Sequence, residues 1–203
     1  RAIGVDLSPR MIAAAAQLAR RQDCGARLEL HTADAAQLDC VASNSIDVVI
    51  CAGALEHMHD QAGVLAEVAR VLEPGGRFVC LTVNGAHFWY RSLAPRLGLD
   101  ARHLSSDCFL DARSMQALLR QAQLEACELG YWEFIARGDM PRWAAWLLQV
   151  AEYAGRVAQS EPLRAGLYVS AVKPLRDDGG YVSAVKPLRD DSGCTFRATR
   201  HGG

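Results

Sequence analysis

Apolar residues in this chain fall into two kinds of spacing. Residues 1–6 (RAIGVD), 28–32 (LELHT), 46–51 (IDVVIC) and 77–83 (RFVCLTV) are short, nearly continuous apolar runs. Runs of this kind read as parallel strands buried on both faces. Between them the spacing changes to three and four. Residues 9–22 read as one helix, and residues 61–72 as another, with Leu65, Val68, Val71 and Leu72 on one face. Strand, helix and strand alternating in this way predict an α/β fold on a doubly wound, largely parallel sheet. Further along, residues 110–122 place Met115, Leu118, Leu119 and Ala122 on one helical stripe behind Asp111, a capping residue. Residues 124–134 and 167–172 read as strands. Residues 141–159 read as a helix carrying Trp143, Trp146, Leu147, Val150, Tyr153 and Val157 at helical spacing, a face suited to core packing, a pocket wall, a partner or a lipid surface.

Local signals mark the joints. Ser8 and Pro9 open the first helix, Ser8 as N-cap and Pro9 where its missing N–H costs nothing, and Gly25 suits its C-terminal end. Pro74-Gly75-Gly76 stops the second helix and turns the chain. Ligands of such sheets bind beyond the carboxyl ends of the strands, so loop 52–60, with Glu56, His57 and His59, is expected to face the site.

Composition narrows the class. The chain has 203 residues, is 50% hydrophobic and 22% charged, and carries a net charge of −1. That fits one soluble globular domain without long-range attraction to nucleic acid or an anionic surface. No apolar run approaches the roughly 18 residues of a membrane span, and no basic stripe or secretory leader is visible. The seven cysteines are scattered without C-x-x-C spacing, which reads as reduced, buried thiols of a cytoplasmic protein, with no disulfide framework and no metal site. Residues 168–180 (YVSAVKPLRDDGG) recur as 181–193 (YVSAVKPLRDDSG), and both lysines, Lys173 and Lys186, lie in these copies. Two short copies do not make a solenoid.

Candidate chemistry gathers after the strands. His57 is the first choice of general base near neutral pH, with His59, His87 and His103 behind it. Cys51, Ala52 and Gly53 are small enough to let a ligand approach the backbone. His87, Phe88 and Trp89 follow a strand end, where aromatic walls suit an apolar or ring-shaped acceptor, and Glu56 is a second polar contact for it.

G-V-D-x-S-x-x-M-I at residues 4–12, D-V-V-I-C-x-x-A-L-E-H at 47–57 and V-L-x-P-G-G-R-F at 71–78 together resemble the class I S-adenosylmethionine-dependent methyltransferases, nearest the subgroup acting on quinone-type and other small molecules. The resemblance implies a Rossmann-like sheet of order 3-2-1-4-5-7-6, S-adenosylmethionine as cofactor and a small-molecule acceptor. It implies that Asp6 receives both ribose hydroxyls, with Leu7 and Met11 near the adenine. Asp34 would read the adenine amino group, with Ala33 and Ala35 beside it, and Cys51, Ala52 and Gly53 would line the cofactor. A carboxylate suits the ribose because its two oxygens take two donors at once.

The resemblance covers about residues 1–175, as a methyltransferase domain without the family's first strand and glycine-rich loop. Residues 176–203 are expected to hold the duplicated strand and a disordered tail. The absent strand is central in the family order, so strands 2–6 and 46–51 are expected to lack the neighbour that joins them, and the chain, read as a fragment, to bind cofactor poorly. The alternatives are an inactive binding module of the same fold and a nicotinamide-dependent dehydrogenase. A further option places the duplicated strand 181–187 in the sheet, even beside the gap.

Overall fold

The computed structural model describes residues 1–93, 96, 107–132, 142–177 and 180–182. Its parallel strands begin with β1 (Ala2–Asp6), which pairs in parallel with β2 (Leu28–Thr32) across helix α1 (Pro9–Arg21). Strand β3 (Ile46–Ala52), helix α2 (Gln61–Val71) and strand β4 (Leu72–Val83) form the expected parallel β–α–β unit. Helix α3 (Ala112–Gln121) and strand β5 (Glu125–Trp132) follow, then helix α4 (Arg142–Ala158) and strand β6 (Gly166–Val172). Strand β6 inserts antiparallel between β4 and β5, giving a four-stranded sheet of order β3-β4-β6-β5 beside the two-stranded pair β1-β2. Among the described residues no strand bonds to β1 on its side away from β2, or to β3 on its side away from β4.

The main core lies on one face of the four-stranded sheet. Phe78 and Cys80 of β4 alternate with Leu167, Val169 and Ala171 of β6, and α2 (Val64, Leu65, Val68) and α3 (Met115, Leu119) cover them. The opposite face is open at β3, where Val48 is 37% and Ile50 70% exposed. The expectation of a strand buried on both faces fails here because no described helix covers that side. A smaller cluster of Leu38, Val41 and Val71 joins the two sheets by taking Ile3 and Val5 from β1 and Ile46 and Val49 from β3. Arg70 clips the intervening loop to α2, donating to the carbonyls of Val41 (3.0 Å) and Leu38 (2.8 Å) while Glu67 accepts the Leu38 N–H (2.7 Å).

The helix ends correct two local readings. Ser8 occupies the N-cap of α1, but its side chain makes no capping bond; its N–H donates instead to Asp6 Oδ1 (2.8 Å). Helix α1 closes at Gln22, and Asp23 (φ 52°), not Gly25, takes the left-handed conformation past its end; Gly25 begins a short 3-10 turn. Asp111 caps α3 as expected, accepting from Ser114 N–H at 2.8 Å, and Asp60, not expected as a cap, does the same for α2, accepting from Gly63 N–H at 2.8 Å. Gly75, at φ 83°, lets the Pro-Gly-Gly turn swing back so that its N–H donates to the Lys173 carbonyl (2.8 Å).

The two copies of the repeat part company. Tyr168–Val172 lies in β6, whereas β8 (Gly180–Val182) pairs only with β7 (Leu175–Asp177), away from the gap beside β1 and β3. Residues 183–187, tail 192–203, His103, Phe134, Pro141, Lys186 and Cys194 lie outside the described residues. The thiols are less buried than expected: Cys80 alone of the six described is buried, and Cys40, Cys108 and Cys127 are exposed, because their segments border solvent.

Candidate active site

The carboxyl ends of β1, β2 and β3 place the cofactor candidates. Asp6 ends β1, and its carbonyl accepts the Ala33 N–H (3.2 Å), which ties the end of β1 to the residue after β2. Asp34 closes the next turn, with Oδ1 accepting the Ala36 N–H (2.9 Å). Each carboxylate thus bonds a backbone N–H of its own loop through Oδ1. Leu7 (72%) and Met11 (58%) are exposed beside Asp6, an apolar shelf of the kind a flat heteroaromatic ring covers. Gly53 turns at φ 61°, and a Cβ there would meet nothing within 4 Å, so the space above the tip of β3 is open. Two carboxylates at strand ends, an apolar shelf and an open glycine tip fit an adenosine-bearing cofactor. Cys51 and Cys80 stand opposite each other in the β3–β4 register. Their hydrogen bond lowers the Cys51 thiol and, with burial, raises that of Cys80.

The loop after β3 carries the reactive candidates. Residues Leu55–His57 form a single 3-10 turn. Glu56 is buried and accepts the Thr82 hydroxyl at Oε2 (2.7 Å), while its carbonyl accepts the Cys108 N–H (2.8 Å). Gln61 fastens the same turn by donating to the carbonyls of Leu55 (3.0 Å) and Cys108 (2.7 Å). His57 is held outward, half exposed, with Nδ1 2.8 Å from Oδ1 of Asp107, a carboxylate only 7% exposed. The Asp107 contact orients the His57 ring, as a candidate general base requires. Asp107 was missed in the sequence because it lies fifty positions from His57 in a stretch with no motif. His59 is exposed.

The aromatic segment lies beyond β4. His87 is buried, and both its ring nitrogens lack hydrogen-bond partners. It stacks obliquely on Phe88 (4.9 Å) and Tyr90 (5.4 Å), and Tyr90 in turn faces Phe109 (5.4 Å). Burial pushes the His87 imidazole down to about 4, so it stays neutral. Burial and then the Glu56 charge push the Tyr90 phenol up to about 12, which puts Glu56 within electrostatic reach of this segment. Trp89 turns away, packing under α4 on Leu148. Tyr90 ends the aromatic run that begins at His87, and Phe109 was not singled out from sequence. Among the described residues no group of three His, Cys, Asp or Glu is placed to hold a metal ion.

Comparison with known proteins shows what this chain resembles. Residues 1–80 match the methyltransferase domain family. The chain is 40% identical over 89 residues to human Thiol S-methyltransferase TMT1A, covering 39% of this chain and 34% of that protein. It is 28% identical over 144 residues to the demethylmenaquinone methyltransferase of Lactococcus lactis, covering 62% and 56%. The chain therefore spans between a third and just over half the length of these curated relatives. Among solved structures, geranyl diphosphate C-methyltransferase from Streptomyces coelicolor superimposes with a TM-score of 0.60 at 14% identity, over 84% of this chain and 62% of that one. The cyclase SpnF superimposes at 0.62 with 20% identity, over 86% and 66%. These likenesses establish the Rossmann-like fold; a cyclase among them means that the fold does not by itself name the reaction.

Proposed function

We propose that this chain is a class I S-adenosylmethionine-dependent methyltransferase and transfers a methyl group to a small acceptor with an apolar or aromatic body. The observation that carries this reading is the His57–Asp107 pair, set on the loop that leaves β3 just past the open Gly53 tip. Relatives are named for thiol, quinone and lysine methylation, so the acceptor class rests on the site itself. Phe88, Tyr90 and Phe109 offer ring faces, and the unpartnered nitrogens of neutral His87 offer one buried polar contact.

S-adenosylmethionine would be held by Asp6 at the ribose and Asp34 at the adenine, with Leu7 and Met11 against the ring, Ala33 and Ala35 beside it, and Cys51, Ala52 and Gly53 near the reacting end. When bound it supplies an electrophilic methyl on a sulfonium. This chain's contribution is to align the acceptor and take its proton. His57 Nε2 would take the proton that the acceptor heteroatom gives up as it is methylated. Asp107 steadies the imidazolium through Nδ1–H. Alignment carries most of the rate, because such a transfer needs little beyond a deprotonated nucleophile held in line.

The test is methyl transfer from labelled cofactor to a panel holding a hydroquinone, a catechol and an aliphatic thiol. The ring-bearing acceptors are expected to react, and His57→Ala is expected to slow them by about 10²- to 10⁴-fold. Asp107→Asn should lower kcat with KM unchanged. Equal rates for wild type and His57→Ala would remove the base from this reading.

A further inference from the structure

Two thiols sit side by side at the carboxyl end of the β3–β4 pair. Cys51 and Cys80 are direct partners in the parallel register, one step before Ala52 and Leu81 close it. Strands spaced about 4.8 Å apart set the Cα atoms of registered residues inside the roughly 4.4–6.8 Å span that a disulfide bridges. Both side chains also leave the sheet on the same face. Alternation along β3 sends Val48 and Ile50 to the open side and turns Val49 and Cys51 toward the core, where Phe78 and Cys80 of β4 point. The two sulfurs are therefore neighbours without any change in strand order. Among the described cysteines no other pair shares a strand register, since Cys127 falls in the irregularity between Ala126 and Glu128 of β5.

The two thiols are unequal. Cys80 is fully buried, so solutes do not reach it. Cys51 is partly exposed and lies two residues before Gly53, beside which the space is open. The Cys80 thiol bonds to the Cys51 sulfur, which favours the thiolate there against burial and the Glu56 charge. That same bond, with burial, keeps Cys80 protonated. A thiolate is the form that reacts with a peroxide. One sulfur thus meets solutes while a protonated second sulfur stands behind it, the arrangement of a reacting thiol beside a resolving one.

We propose that Cys51 and Cys80 form a hydroperoxide-reactive dithiol site that closes reversibly to a cross-strand disulfide. The Cys51 sulfur attacks one peroxide oxygen; the O–O bond breaks, hydroxide leaves, and Cys51 becomes a sulfenic acid. The Cys80 sulfur then attacks the Cys51 sulfur; the S–O bond breaks, and the departing hydroxide takes the Cys80 proton to form water. Two thiols lose two electrons in all, and one hydrogen peroxide is reduced to two waters, the first completed by the proton that Cys51 gave up. A thiol reductant reverses the link by exchange. The closed link ties β3 to β4 next to the Gly53 turn, whose N–H donates to the Leu81 carbonyl (2.8 Å).

Hydrogen peroxide is the probe, applied to the full chain carrying Cys40→Ser. This exposed substitution leaves Cys51 as the one thiol of tryptic peptide 28–70, while Cys80 lies in peptide 78–91. After the remaining thiols are alkylated, mass spectrometry is expected to find these two peptides joined, with a loss of two alkylatable thiols per chain. Dithiothreitol is expected to restore both. With Cys80→Ala added, the join should vanish and dimedone should label Cys51 as its sulfenic acid. Peptides 28–70 and 78–91 that stay unjoined under peroxide overturn the proposal, and this readout needs no core substitution. So does joining of either peptide, in equal yield, to those carrying Cys108 or Cys127. Dimedone labelling of Cys108 or Cys127 with Cys51 untouched in the Cys80→Ala chain overturns it as well.

Discussion

The two sheets of this molecule are built from similar sequence and do different work. Both contain short parallel apolar strands followed by helices. In the four-stranded sheet, β4 and β6 are flanked on both sides, α2 and α3 seal one face, and each of those helices begins on an aspartate that bonds its first turn. The pair β1–β2 has one strand contact, a helix whose Ser8 makes no side-chain cap, and Leu7 and Met11 left in solvent. The better-braced half positions the proposed base and the proposed aromatic wall, while the weaker half carries the carboxylates proposed to hold the nucleoside. Ligand-binding segments belong at the less stable end of a fold, since they must open to admit what they bind.

The largest expected effect tests that difference in stability. Phe78→Ala, in the sealed core, should cost about 3–5 kcal/mol by urea denaturation. Ile3→Ala, half-buried on β1, should cost roughly 1–2 kcal/mol. Equal costs would mean that the two sheets unfold with the same dependence on their cores.

Acid should act on the four-stranded half through His87. Burial lowers its imidazole to about 4, against an ordinary value of 6.5. The unfolded chain takes up a proton first as pH falls, so stability present above pH 6.5 is lost progressively down to about pH 4, in total about 3 kcal/mol. His87→Leu should flatten this stretch of the stability–pH curve; an unchanged slope would place the acid sensitivity elsewhere.

Ligand binding should report on the other half. Titration with S-adenosylhomocysteine is expected to give binding weaker than micromolar, because the open edges of β1 and β3 leave the cradle unbraced. Asp6→Ala should weaken it about tenfold or more, the worth of a charge-assisted hydrogen bond, and move the urea midpoint little. A large loss of stability with unchanged affinity would make Asp6 a structural turn residue.

The smallest effects concern the caps. Asp60→Ala and Asp111→Ala should each cost about 1 kcal/mol, while Ser8→Ala should stay within about 0.5 kcal/mol. A cost at Ser8 equal to those at the aspartates would erase the contrast between the halves.

Much of this arrangement was legible along the chain. The period of the apolar residues, Pro9, Asp111 and the Pro-Gly-Gly turn act over a few positions, so they set helix and strand order, the strand ends and the placement of Asp6, Asp34, Cys51 and His57 at those ends. The family motifs at 4–12, 47–57 and 71–78 lie within the same local reach. What folding added depends on residues far apart in sequence. Asp107 meets His57 across fifty positions, and Thr82 and Cys108 hold the turn bearing Glu56. Val48 and Ile50 read as core until the absence of a described cover on their side left them exposed. One repeated sequence becomes β6 in its first copy and only a short hairpin arm in its second, because strand partners, not composition, place it. The stripe on α4 could equally have faced the core; the Glu152–Arg164 pair and the Gly155 contact, made with a turn beyond the helix, point it outward.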